Sequence, residues 1–261
     1  MFGNSLKMAA LMSMAMICFS SCYVKINHQN FLSEEGNSGD YARVDTVINV
    51  DNFTTLRIDG APTVTYDRTD GENRVEIEFP KAFRKNLNVE VEDGELSLSA
   101  YHKNRFVIIS NNFDNSIIMH VYGNQPLEAV YLAGASDFTG MDIESPNFTV
   151  QVNGSGDFYS QNLTSGNFSA SILGSGDVVV DNLRSTEDIK LSIAGSGDMK
   201  LNNLACQNII GTVSGSGEIT LSGKATTADL NIAGSGEIDV TNLKTDNLTT
   251  NISGSGDIYT K

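Results

Sequence analysis

The sequence predicts an all-β chain: a single-stranded, right-handed parallel β-helix of about 20 residues per coil, with a less regular β half before it. Three observations predict it. The tetrapeptide Gly-Ser-Gly-Asp/Glu begins at Gly154, Gly174, Gly195, Gly215, Gly234 and Gly254, in steps of 20, 21, 20, 19 and 20 residues. Apolar and polar residues alternate strictly on both sides of every copy. An Asn-Leu pair follows at a fixed distance, as Asn162-Leu163, Asn182-Leu183, Asn203-Leu204 and Asn242-Leu243, with Gly223-Lys224 the one departure. Turn chemistry at one phase of such a period marks a solenoid in which each repeat is one coil.

Residues 1–21 read as a processing signal rather than as fold. Lys7 supplies a positive start, Met8 to Phe19 form an apolar run of 12 residues, and Ser20 and Ser21 precede Cys22. That run is too short to span a bilayer, which needs about 20 residues. Phe19-Ser20-Ser21-Cys22 resembles the lipobox of bacterial lipoproteins, with Phe19 in place of the usual leucine. The resemblance implies cleavage before Cys22 and its diacylation; Cys18 suits that cut poorly because bulky Ile17 precedes it. Residues 22–43 then form a lipidated, flexible tether without periodicity.

The net charge is −15, and removal of residues 1–21 takes away only Lys7, leaving −15 − 1 = −16. Such a chain repels nucleic acid and anionic head groups. Membrane attachment is therefore expected from the lipid and not from a basic patch. Beyond Cys22 the single remaining cysteine is Cys206, so no disulfide staples the fold, and a small buried hydrophobe is the expected role.

Residues 44–132 read as irregular opening coils and a cap, with a small separate sandwich as the alternative. Ile58-Asp59-Gly60-Ala61 matches Leu132-Ala133-Gly134-Ala135 in phase, which places a first coil near Gly60 with longer, irregular ones after it. Val75–Phe79, Leu87–Val91, Leu96–Ala100 and Ile117–Tyr122 alternate as strands, and Asp93-Gly94 signals a tight turn. Lys81, Arg84 and Lys85, like Lys103 and Arg105, read as solvated loop residues.

Residues 133–261 are the regular helix. Counted from each first glycine, positions −6, −4 and −2 point inward, as in Phe148, Val150 and Val152 or Ile189, Leu191 and Ile193. Positions +4 and +6 resume the alternation, as in Val178 and Val180 or Ile238 and Val240. The paired glycines Gly154 and Gly156, Gly174 and Gly176, Gly195 and Gly197, Gly215 and Gly217, Gly234 and Gly236, and Gly254 and Gly256 are structural corners. The asparagines that follow are expected to stack as an amide ladder.

This combination resembles the auto-transporter adhesin head (GIN) domain family of Bacteroidetes-type lipoproteins. The resemblance rests on the lipoprotein signal, Phe53-x-x-Leu56-x-Ile58-x-Gly60 followed by Val64, Leu96-x-Leu98 after Asp93-Gly94, and the serial Gly-Ser-Gly-Asp corners. It covers about residues 45–261 and implies a β-helical envelope protein with an adhesin role. It carries no catalytic residues. Tyr23-Val24-Lys25-Ile26, just after Cys22, lack the acidic cluster typical of surface-exported lipoproteins of this group, which favours an inward face at the outer membrane.

The acidic residues that close the corners, Asp157, Asp177, Asp198, Glu218, Glu237 and Asp257, with Asp137 upstream, should form one column. Carboxylates about 4.8 Å apart repel by roughly 0.9 kcal/mol even in water, so turn N–H groups or a weakly bound cation such as calcium must offset them. The secreted-toxin calcium repeat is a different device, with a nonapeptide period and Gly-Gly-x-Gly-x-Asp. An enzyme finds little support. Residues 133–261 hold 15 acidic and 6 basic residues that share no phase, and His28, His102 and His120 all lie before them. No zinc spacing, phosphate loop or nucleophile motif calls for a cofactor.

A non-catalytic binding role follows, with an extended glycan or a protein as ligand; an inward-facing envelope scaffold and a glycan-active enzyme are the alternatives. Phe158-Tyr159 and Tyr259 are candidate exposed aromatics, and the open coil end near Lys261 is a candidate surface for self-association.

Overall fold

The computed structural model describes residues 42–100 and 116–261. The signal segment, Cys22, nearly all of the tether, Lys103, Arg105, His28 and His102 lie outside them. The opening half holds β1 (Arg43–Asn49), β2 (Thr55–Gly60), β3 (Thr63–Arg68), β4 (Arg74–Pro80), β5 (Leu87–Glu92), β6 (Glu95–Ala100), β7 (Ile118–Gly123) and β8 (Ala129–Gly134). The regular half holds β9 (Asp137–Gly154), β10 (Phe158–Gly174), β11 (Val178–Ser185), β12 (Asp188–Ile193), β13 (Met199–Val213), β14 (Glu218–Gly234), β15 (Glu237–Gly254) and β16 (Asp257–Tyr259). The architecture is a parallel β-solenoid of about seven turns and roughly 20 residues per coil.

Coils stack residue on equivalent residue. Phe158 pairs with Phe138 on one side and Val178 on the other, and Leu163 with Ile143 and Leu183. The ladder breaks at Gln161 and Gly166, so each coil has three straight sides, such as 158–160, 162–165 and 167–174. The alternation that predicts inward positions holds: Phe158, Leu163, Phe168, Ala170 and Ile172 are all buried. Stacking in register sets like on like, and Phe138 and Phe158 lie parallel with ring centroids 5.1 Å apart. Ser145, Ser165 and Ser185 are also buried; Ser145 donates to Asn147 O (2.7 Å) and Ser185 to Gly166 O (2.7 Å), closing the bend they face.

The corners need glycine because of what lies above them. A Cβ on Gly195 would sit 2.0 Å from Gly174 O, although Gly195 itself is not in the left-handed region. Gly154, Gly174, Gly215, Gly234 and Gly254 add φ values of 141 to 156°, which side chains rarely adopt.

The opening half departs from sequential stacking. The β2–β3 coil sits directly on β8–β9, with Gly60 over Gly134. The next layer outward is β6 on β2 and β7 on β3. The chain therefore builds two layers outward, then crosses back to lay β8 against the inner edge of β2. Antiparallel strands finish this end: β4 on β7, β1 on β4, and β5 on β6 through a turn with φ 50° at Asp93 and 79° at Gly94. Positive φ at both central residues is the type I′ geometry that matches strand twist. One hydrophobic cluster runs from Phe53 to Leu243 through both halves.

Gly195→Ala and Gly94→Ala separate steric from conformational cost. Nothing lies within 4 Å of a Cβ at Gly94, so that variant should lose only about 1–2 kcal/mol for positive φ. Gly195→Ala should lose about 3 kcal/mol or more, because backbone must move. Urea unfolding midpoints measure both; equal losses would contradict the stacking argument.

Candidate functional site

The corner acids form a column, and four of its aspartates accept backbone N–H groups. Asp137 Oδ1 accepts the Asp157 N–H (3.1 Å), Asp157 that of Asp177 (2.9 Å), Asp177 that of Asp198 (2.9 Å) and Asp198 that of Glu218 (3.0 Å). Beyond Glu218 the pattern changes. The Glu237 N–H donates to Gly217 O (3.0 Å) and that of Asp257 to Gly236 O (3.2 Å), while Glu218 Oε1 takes the Thr220 hydroxyl (2.6 Å). A glutamate carries its carboxylate one methylene too far out to reach the next turn. Burial raises the Asp177 carboxyl above its usual value of 3.8, the Asp198 N–H pulls it down, and Asp157 and Asp198 push it up again. Among the described residues no group of three or more His, Cys, Asp or Glu is placed to hold a metal ion.

Two further rows tie the coils. Asn162 donates to Asp142 (2.7 Å), Asn182 to Asn162 (3.0 Å) and Asn203 to Asn182 (3.2 Å). At the next bend Asn167 donates to Asn147 (3.0 Å) and to Glu187 (2.7 Å). Of the candidate aromatics, Phe158 is not exposed: it occupies an inward position and is wholly buried. Tyr159 donates to Asp181 (2.7 Å), and Tyr259 is 45% exposed. Cys206 is half-buried, and burial, then Asp188, pushes its thiol up to about 11, which keeps it protonated.

Three of the six basic residues of the regular half, Arg184, Lys224 and Lys244, do share a phase. The ladder aligns Thr164 with Arg184, Arg184 with Ala205, Ala205 with Lys224, and Lys224 with Lys244. Counting from each first glycine hides this, because the coil holding Lys224 is one residue short and register shifts between Thr220 and Ser222 absorb the difference. Along this side the column runs Glu144, Thr164, Arg184, Ala205, Lys224, Lys244, so its charge changes from negative to positive toward the C-terminal end.

A groove that the repeat pattern does not reveal opens where the cap meets the solenoid. β3 pairs with β9 only as far as Tyr66 on Gly140. Beyond that point no described strand pairs with Asp142–Pro146 on its cap side. Buried Tyr66, Leu127 and Ile143 floor the opening; exposed Arg68, Asp70, Asp142, Glu144, Asn162 and Thr164 rim it, around about 520 Å³. A second hollow of about 510 Å³ continues past Glu144 and Thr164 along Pro126, Pro146 and Gly166. Tyr66 donates to Gln125 O (3.3 Å), and burial pushes its phenol up to about 12. Among the described residues the rim holds one cation, Arg68, against three carboxylates. One sequence signal marks the place: Asp142 stands where four later coils carry asparagine, at Asn162, Asn182, Asn203 and Asn242.

The chain matches the family model described as "Putative auto-transporter adhesin, head GIN domain" over residues 52–184 and 169–261. It belongs to this family. The GIN domain also resembles a solved "putative adhesin" from Bacteroides fragilis at 20% identity, TM-score 0.71, covering 83% of this chain and 96% of the other. A "putative adhesin" from Parabacteroides distasonis matches at 20% identity, TM-score 0.67, covering 84% and 97%. From the same organism, a "putative lipid binding protein" matches at 21% identity, TM-score 0.60, covering 83% and 95%. At such identities these structures show the shared fold. No curated protein matches the chain.

Asp177 gives the column a testable pH signature. Its carboxyl is raised in the folded state, so the fold binds this proton more tightly than the unfolded chain does. Its contribution to stability is therefore largest at low pH and is lost as pH rises through the raised value. Asp177→Asn keeps an oxygen for the Asp198 N–H and sheds the charge. Its stability relative to wild type should rise with pH above about 4 and then level off. Asp177→Ala should lose about 1 kcal/mol at neutral pH. Chemical denaturation between pH 4 and 8 checks both.

Proposed function

We propose that this GIN domain is a non-catalytic, lipid-anchored envelope protein that binds an extended neutral glycan in the groove between Arg68 and Glu144. The groove carries this reading. Its two hollows lie end to end, each within the range of about 300–1,000 Å³ found for small-ligand clefts. Carboxylates, an amide and a hydroxyl stand on the rim above an apolar floor, a donor and acceptor set suited to the paired hydroxyls of a sugar. With three carboxylates to one arginine, the rim disfavours acidic saccharides and anionic lipid head groups alike. The family description as an adhesin supports a role in binding rather than catalysis. The lipobox-like segment ending at Cys22 supports anchoring at the envelope, and the outer membrane is the site proposed.

A glycan array with neutral and acidic oligosaccharides, followed by titration calorimetry, tests the ligand. Neutral chains should bind. Glu144→Ala, which removes one charged acceptor on an exposed residue, should weaken the best of them by about tenfold or more with the circular dichroism unchanged. Binding confined to acidic chains, or unaffected by Glu144→Ala, would refute the groove. Location is read separately, by proteinase cleavage on intact cells against lysed ones. Cleavage on intact cells supports adhesion; protection until lysis supports the inward-facing scaffold that Tyr23–Ile26 favour.

A further inference from the structure

Leu248 and Ile252 are exposed at 38% and 45%, yet they occupy inward positions. Their equivalents one coil back, Ala228 and Ile232, are 2% and 1% exposed. The surface they belong to is the C-terminal end face of the solenoid, with a hollow of about 720 Å³ floored by Val240 and Leu243. This face follows one coil around: a short side at Asn242–Thr245, a long side at Asn247–Gly254 and a second short side at Asp257–Tyr259.

We propose that this face is self-complementary and joins two copies tail to tail about a two-fold axis through Thr250. Three features point to a second copy rather than to another partner.

The first is shape. The end of a coil is a helical ramp, and a ramp is unchanged by a half-turn about the radial line through its midpoint. Thr250 lies near the middle of the long side, so a copy rotated about that line meets the first without a gap. The second is register. The half-turn runs the two long sides antiparallel, with Leu248 opposite Ile252 of the second copy, Ile252 opposite its Leu248, and Thr250 opposite its Thr250. All of these are inward positions, so inward face meets inward face and the two cores become continuous. Unpaired N–H and C=O groups of the long side gain ladder partners at the same time.

The third feature is charge. The half-turn exchanges the two short sides. One carries the stacked acids Glu218, Glu237 and Asp257; the other carries Lys224 over Lys244. The acids are dense enough that Glu237, then Asp257, raise the Tyr259 phenol. In the dimer each acidic row lies over the other copy's basic row, twice by symmetry. The opposite end cannot take the same role. It is covered by antiparallel β1, β4 and β5, so the contact closes at two copies instead of growing into a fibre.

Sedimentation equilibrium of the full chain in detergent tests the proposal. Wild type should be dimeric and should weaken as salt screens the paired rows. Ile252→Glu should give monomer. Lys244→Glu, on an exposed side chain that folding does not need, should raise the dimer Kd about tenfold or more. Adding Asp257→Lys to Lys244→Glu should recover most of that loss, because the symmetry swaps the two rows. Thr250→Cys should give a disulfide-linked dimer under oxidation that wild type does not give. A monomer at the highest attainable concentration overturns the proposal. So does a dimer that is indifferent to both Ile252→Glu and Lys244→Glu.

Discussion

The structure depends on one close contact: the Cα of each corner glycine beneath the carbonyl oxygen of the glycine one coil before it. In the space where a Cβ would stand, 2.0 to 2.5 Å away, there is already an oxygen at Gly134, Gly154, Gly174, Gly195, Gly215, Gly234 and Gly254. The same column reaches the cap, where Gly134 lies under Gly60 and Gly60 under Ala100. This contact fixes where each coil turns. Every other residue of the coil is then carried into line with its equivalent.

In-register stacking has a second consequence, because it sets identical side chains face to face. Phenylalanines and branched aliphatics gain by this, and they fill the interior. Asparagine also gains, since one amide can donate to the next and accept from the one before, as Asn182 does between Asn162 and Asn203. Aspartate does not, for like charges repel. The corners accept that repulsion because the carboxylate accepts an N–H of the following coil. Where glutamate stands instead, at Glu218 and Glu237, the acceptor becomes a glycine carbonyl. From Asp137 to Asp198, hydrogen bonds within the fold thus offset the repulsion.

These rules also decide what could be read in the sequence. A corner that demands glycine and a side that demands alternation leave marks at fixed phase, and both the solenoid and its inward residues are legible from them. The Asp93-Gly94 turn is legible for the same reason, since positive φ at two successive positions restricts composition. The layer order of the opening half leaves no such mark, because β2 meets β8 and β6 through ordinary strand edges that carry no phase. The groove was hidden for a related reason. It arises where β3 stops pairing at Tyr66, a matter of topology and not of the residues around it. The column of Arg184, Lys224 and Lys244 was hidden by arithmetic, since one short coil moves Lys224 off phase while the ladder keeps it in line.

The two ends of the solenoid differ in kind, and the difference follows from chain order. The first strand described, β1, lies outermost on the capped end. The antiparallel cap forms where the chain reverses direction, through the two-residue Asp93-Gly94 turn and the longer connections of the opening half; the repeats do not reverse. Each 20-residue repeat has only enough chain to go once around, so it can hand on its edge but cannot cover it. Among the described residues the last parallel edge lies at β15 and β16, at the end of the solenoid opposite β1. The charge gradient along Glu144, Thr164, Arg184, Lys224 and Lys244 runs in the same direction, and it places cationic side chains beside an acidic row on the face where two such ends could meet.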